Sequence, residues 1–184
     1  MAEADFKPLP PEGPQQRAFS APQQVLQPQT DYRARLVTNK GAITVDLFEQ
    51  QTPKTVNSFV FLALHRFYDG VLFHRVIPGF VAQTGDPTGT GSGGPGYRFG
   101  LEIVPSLNFG AKGILGMART NDPNSNGSQF FITLDPAPHL SGQYTVFGKV
   151  VEGMDVVEKL NSTETSTATP DRLETVEILI RKAP

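Results

Sequence analysis

The chain has 184 residues, of which 38% are hydrophobic and 18% charged, and its formal net charge is -2. That length suits one domain with a sizeable core and is short for two, while the slightly acidic balance supplies no basic face for a nucleic acid. No cysteine is present, which excludes disulfides, thiolate catalysis and the cysteine-based zinc sites.

Residues 1–29 contain six of the 16 prolines and six glutamines, with few large apolar side chains. Such a segment buries too little surface to offset its ordering entropy, and it is expected to be a disordered, polyproline-like tail ahead of a single domain over 30–184. Its start lacks the apolar stretch and small-residue cleavage pattern of a secretory signal. No run approaches the roughly 18 apolar residues that would cross a membrane, so a cytoplasmic protein is expected. The sequons at Asn126 and Asn161 are accordingly read as fortuitous.

The ordered pattern begins near Tyr32. Residues Arg33–Thr38 and Ala42–Phe48 alternate, and Asn39-Lys40-Gly41 between them predicts a hairpin. Thr52 and Pro53 predict a helix start, with Thr52 as cap. Val56, Phe59, Val60, Ala63 and Leu64 then mark one buried face as far as His65. Short strands are expected at Leu72–Val76 and Phe80–Thr84, folded about Pro78-Gly79. A long glycine-rich region follows, from Gly85 to Gly113. Further strands are expected at Ile114–Ala118, Gln129–Thr133, Val146–Val151 and Thr175–Arg181, with a short helix at Met154–Leu160. Eight strands and two helices predict a β-barrel or sandwich rather than a βαβ sheet. Pairing of the last strand with the first hairpin would remove the sheet edges.

Gly89, Gly91 and Gly94 formally spell G-x-G-x-x-G. A dinucleotide site needs that motif between a strand and a helix, whereas here Pro95-Gly96 follows without helical periodicity. The stretch reads as a shaped surface loop. His65, His74 and His139 show no metal-ligand spacing, and Ser128 lacks the context of a hydrolase nucleophile. Neither a metal nor any other cofactor is expected.

The stretch FHRVIPGFVAQTGD, Phe73–Asp86, carries more information. It sets Arg75 beside a Pro78-Gly79 turn, with Phe80 and Gln83 just beyond, and NGSQFF at 126–131 adds Gln129 and two phenylalanines. Taken singly, Arg75, Gln83 and Gln129 are exposed strand positions and the aromatics are core. Alternation puts one of Phe130 and Phe131 inside and the other on the opposite face. Together they provide a cation, two amides and apolar surface, but no nucleophile. That inventory suits holding and rotating a backbone better than breaking a bond.

FHRVIPGFVAQTGD, GSGGPGYRF, NGSQFFITL and TVFGKVVEGMDVVEKL occur in the order found in cyclophilins, and the resemblance spans about residues 32–182. It implies a mainly β fold, a closed eight-stranded antiparallel barrel capped by two helices. It also implies peptidyl-prolyl cis-trans isomerase activity that assists protein folding. By the same resemblance Arg75, Phe80 and Gln83 are catalytic. Val81, Met117, Ala118, Gln129, Phe131, His139, Leu140 and Tyr144 bind substrate. The implied partners are proline-containing peptides and folded or unfolded protein clients of a monomer, with neither nucleic acid nor membrane.

Three departures stand out. Most eukaryotic members carry tryptophan where His139 stands, which implies weakened cyclosporin affinity. Many carry histidine where Tyr144 stands, and several bacterial ones carry tyrosine, so a bacterial-like variant is expected. The loop Arg119–Pro123 is one residue longer than the commonest form, leaving Arg119 or Asn121 to replace a groove asparagine. The rival reading is a peptide-binding module on the same scaffold that does not turn over. The proline-rich tail, at Ala21-Pro22, is a candidate ligand for the groove of its own or a neighbouring molecule.

Overall fold

Between Thr30 and Thr38 every second side chain is buried, the signature of a strand with one face on a core. In a computed structural model describing residues 5–164 and 167–183, the strands are β1 (Lys7–Leu9), β2 (Thr30–Thr38), β3 (Gly41–Leu47), β4 (Val71–Leu72), β5 (Arg75–Ile77), β6 (Val81–Thr84), β7 (Ile114–Met117), β8 (Phe130–Thr133), β9 (Val146–Glu152) and β10 (Arg172–Lys182). The helices are α1 (Pro53–Leu64) and α2 (Met154–Glu158), with a 3-10 turn at Pro138–Leu140.

The sheet runs β1-β10-β2-β3-β9-β7-β8-β6-β5, and β4 pairs with β10. β4 and β5 are two pieces of one bent segment, separated by Phe73 and His74. The first piece pairs with β10 through Arg172↔Leu72 and the second with β6 through Arg75↔Gln83. The ladder thus returns to where it began. With 71–77 counted as one bent strand and β1 as an addition, the barrel has the expected eight antiparallel strands. The last strand pairs with the first hairpin as expected, Val176 opposite Leu36 and Ile178 opposite Ala34.

Phe59 of α1 reaches into the barrel, where its ring lies 5.4 Å from those of Tyr68 and Phe130 and 5.5 Å from Phe147. Thr52 precedes the helix and Pro53 opens it, as the sequence predicts. The Thr52 hydroxyl does not cap it, however, but donates to the Phe48 carbonyl. The carboxylate of Glu102 takes that role. It accepts from the amides of Lys54 (3.2 Å) and Thr55 (2.7 Å) and from the Thr55 hydroxyl (2.6 Å). A negative charge there meets the positive end of the helix dipole.

The expectation of a disordered tail does not hold for residues 5–29. β1 pairs with β10, Lys7 opposite Ile180, and the guanidinium groups of Arg33 and Arg181 lie over the Phe6 ring at 4.5 and 4.7 Å. Beyond β1 the segment is irregular but anchored. Glu12 N donates to Leu64 O, Gln16 N to His65 O and Phe19 N to Pro95 O. The Phe19 ring meets Phe61 edge-on at 4.8 Å. Asn57 fastens the next stretch by donating to Gln23 O and accepting from Val25 N and Leu26 N.

The physical reason is α1 itself. Ten of its twelve residues are buried, including Phe61, which lies outside the face facing the barrel and meets Phe19. The N-terminal segment is a strap that covers this second apolar face. Its prolines favour an extended path, and side-chain and main-chain hydrogen bonds to α1 and the loop after it replace a sheet ladder.

Replacing Asn57 with alanine removes three of these bonds and leaves two amides without their acceptor. It should cost about 1–3 kcal/mol in urea unfolding and expose residues 10–27 to limited proteolysis. Unchanged cleavage would contradict the strap's anchorage.

Candidate active site

The register of β5, β6, β8 and β7 lines up one row across the sheet. Arg75 lies opposite Gln83, Gln83 opposite Phe131, and Phe131 opposite Gly116. Alternation sends the neighbours of this row, Val76, Ala82, Phe130, Leu115 and Met117, into the barrel core. The row itself faces outward. There Val81, Phe109, Phe131, Ala137 and Val146 form a second apolar cluster, with Phe80, Ala118, Leu140 and Tyr144 packed against it.

A cavity of about 110 Å³ opens in this outer cluster. Phe80, Val81, Phe131, Leu140 and Tyr144 give it apolar walls, and Arg75, Gln83, Ala118 and Arg119 complete the lining. Phe131 is held from two sides, stacked on Phe109 at 5.6 Å and edge-on to Tyr144 at 5.6 Å. Gly116 leaves room beneath it. A Cβ at that position would lie 2.5 Å from Phe131 Cζ and 2.8 Å from Phe109 Cζ. Leu140 arrives on the 3-10 turn and Tyr144 just before β9.

Arg75 is exposed at the cavity rim. Its Nη1 donates to Gln83 Oε1 over a long 3.4 Å, and Gln83 Nε2 donates to Gln129 Oε1 at 3.1 Å. Gln129 Nε2 in turn donates to the carbonyls of Gly91 (2.9 Å) and Gly93 (3.0 Å). The amides therefore orient the guanidinium through a chain anchored in the glycine-rich loop. No carboxylate among the described residues pairs with Arg75, so its charge stays available to a ligand. Burial, helped by the charge of Arg75 and opposed by Asp86, lowers the pKa of neighbouring His74.

That loop is built around Asp86, not around a phosphate. The buried Asp86 carboxylate accepts from Thr88 N (2.8 Å), Thr88 Oγ1 (2.7 Å), Thr90 N (3.1 Å) and Gly91 N (2.6 Å). Burial alone would raise its pKa. The hydrogen bonds from Thr88, Gly93 and Gly91 outweigh that and lower it to about 2. Beyond the loop lies a second, larger cavity of about 790 Å³, which shares Gln83, Ala118 and Arg119 with the first.

Most of the expected residues meet here. Arg75, Phe80, Val81, Gln83, Ala118, Phe131, Leu140 and Tyr144 all line the smaller cavity, and Gln129 lines the larger one. Met117 and His139 are the exceptions. Met117 lies on the other side of the sheet. It is 2% exposed and packs inside the barrel, because alternation along β7 turns it inward and only Ala118 outward. His139 lies outside both cavity walls and stacks on the Phe80 ring at 5.9 Å. Arg119, rather than Asn121, lines the cavities. The tail does not enter the groove of its own chain, since no described residue before Arg75 lines either cavity. Sequence reasoning missed Phe109 and Gly116; the close spacing of Phe109 and Phe131 becomes visible only across the sheet.

Comparison with known proteins agrees with this geometry. Residues 33–182 match the family described as cyclophilin type peptidyl-prolyl cis-trans isomerase/CLD. The peptidyl-prolyl cis-trans isomerase-like 1 of Aspergillus fumigatus is 47% identical over 133 residues, covering 71% of this chain and 82% of that protein. The peptidyl-prolyl cis-trans isomerase ppi1 of Schizosaccharomyces pombe is 48% identical over 136 residues, covering 72% and 87%. A crystal structure of a Cryptosporidium parvum cyclophilin type isomerase, in the presence of the dipeptide Ala-Pro, superposes with a TM-score of 0.74 at 38% identity. It covers 78% of this chain and 96% of that one. None of these relatives is bacterial, so the bacterial character read from Tyr144 gains no support from them.

The loop around Asp86 should be acid-sensitive. A carboxyl whose pKa is lowered from 3.8 to about 2 contributes stability that is present above 3.8 and lost as pH falls towards 2. Asp86→Asn should flatten that acid limb of the urea-unfolding midpoint and speed amide exchange at Thr88, Thr90 and Gly91. An identical acid limb in the variant would rule this out.

Proposed function

The chain belongs to the cyclophilin-type peptidyl-prolyl cis-trans isomerases and is an enzyme of that class, and from that starting point we propose that it accelerates Xaa-Pro rotation in folding and folded client proteins, with Arg75 as the electrophilic group. The proposal includes a monomer acting in the cytoplasm, and weakened cyclosporin binding where His139 stands. The observation that carries the reading is the guanidinium of Arg75 at the rim of a small apolar cavity, held by Gln83 and free of any carboxylate among the described residues.

The chemistry asks for little else. The barrier to rotation, about 18–20 kcal/mol, arises from amide resonance. As the bond twists, the proline nitrogen becomes pyramidal and recovers a lone pair, to which a fixed guanidinium can donate. Arginine keeps its charge at every physiological pH, so no proton has to move. The walls Phe80, Phe131 and Leu140 suit a pyrrolidine ring, and Gln83 and Gln129 offer amides to the flanking backbone. The Cryptosporidium parvum crystal structure obtained in the presence of the dipeptide Ala-Pro supports an Xaa-Pro segment as ligand.

Acceleration follows from binding the twisted state more tightly than either planar one. A 10⁵-fold gain would require about 7 kcal/mol, within reach of a charge-assisted hydrogen bond and positioning in a partly dry pocket. A binding module without turnover would have no use for a cation aimed at the cavity rim, and this favours the enzyme.

Arg75→Ala should abolish most isomerisation of an Ala-Pro peptide, followed by NMR exchange, while circular dichroism shows an intact barrel; near-normal turnover would defeat the mechanism. Gly116→Ala, which must displace Phe131, should lower kcat/KM by about 10–100-fold. A variant that kept both its fold and full activity would show that the Phe131 wall is dispensable.

A further inference from the structure

We propose that the groove selects proline peptides carrying a carboxylate side chain within two residues of the proline, held by Arg98 and Arg119. This substrate preference rests on the isomerase reading above.

The larger cavity adjoins the proline cavity through shared walls, Gln83, Ala118 and Arg119. Its charged lining consists of Arg98 and Arg119, with no aspartate, glutamate or lysine. This is a local feature, since the chain as a whole is net negative. Apart from Arg75, the arginines of β2 and the one near the end of β10 are already paired. Arg35 meets Glu177 at 3.0 Å, Arg181 meets Asp31 at 2.6 Å and Arg33 meets Asp46 at 3.6 Å. Among the described residues neither Arg98 nor Arg119 has a carboxylate partner.

Arg119 stands at the junction of the two cavities, with its guanidinium over the Tyr144 ring at 5.4 Å. The planar guanidinium fork matches a carboxylate. The remaining lining is neutral, with Ser92, Thr120, Ser125 and Gln129 beside Pro95, Tyr97 and the backbone of the glycine-rich loop, so the two guanidinium groups are its charged contacts for a ligand.

Distance sets the position. An extended chain advances about 3.3–3.6 Å per residue. A peptide whose proline sits among Phe80, Phe131 and Leu140 therefore presents the side chain one or two residues away to the adjoining cavity. Only one end of the peptide can run that way, so the effect belongs to one side of the proline.

The test is NMR exchange on matched proline peptides with Glu, Gln or Lys at each of the two positions before and the two after proline. Glu at a position on one side should raise kcat/KM about tenfold over Gln, and Lys should lower it. High salt should shrink the difference. Arg98→Gln and Arg119→Gln should each bring the Glu-to-Gln ratio towards one, and Arg98→Gln decides the matter should Arg119→Gln misfold. Equal turnover of the Glu, Gln and Lys peptides overturns the preference while leaving the isomerase reading standing. If the folded protein turns over none of them, the isomerase reading falls, and the Kd ratios of the same peptides decide the charge preference alone.

Discussion

The site depends on the antiparallel register that sets Arg75 opposite Gln83, Gln83 opposite Phe131 and Phe131 opposite Gly116. Side chains alternate with a period of two, so a slip of one residue in any of these strands would turn its contribution into the barrel. The cation, the amide, the aromatic wall and the space for that wall would no longer share a face. The register is well determined because the opposite face is core. Val76, Ala82, Phe130 and Leu115 must all point inward, and burying them places the reactive row outside.

The sheet therefore serves two apolar clusters at once. The inner one holds the barrel together with α1, whose Phe59 interlocks with Tyr68, Phe130 and Phe147. The outer one, centred on Phe131, forms the cavity wall. The glycine-rich loop contributes differently. Asp86 gathers the loop's amides, and the loop's carbonyls accept from Gln129. The orientation of Arg75 thus rests on polar contacts well away from the cavity, and the strap reaches the same loop where Phe19 N donates to Pro95 O. Close approach there requires a glycine: at Gly96, where φ is +101°, a Cβ would lie 2.4 Å from Phe19 O.

Much of this was legible in the chain. Alternation located the strands around Ile43 and Val176, and the composition of Phe73–Asp86 with Asn126–Phe131 singled out the reactive groups. Other features were not legible. Met117 and Ala118 are adjacent, and which one faces the groove depends on strand phase. Glu102 caps α1 from 47 residues away, an interaction that no local motif encodes. Residues 5–29 have the composition of a free tail, yet they are ordered by contacts with a helix face. Phe61 on that face was the available clue, because an amphipathic helix with water on its far side has little use for it.

By itself the sequence determined the barrel strands, the two helices and which chemistry is present, because hydrophobic periodicity and residue type act locally. Only the tertiary structure decided which of those residues share a surface. It set Arg75 beside Gln83 and Phe131, turned Met117 inward, and left Arg98 and Arg119 facing the groove without a carboxylate. Those outcomes follow from strand register, ring closure through β4 and β5, and burial on the far face of the sheet. They are properties of contacts between residues distant in the chain, which local sequence does not specify.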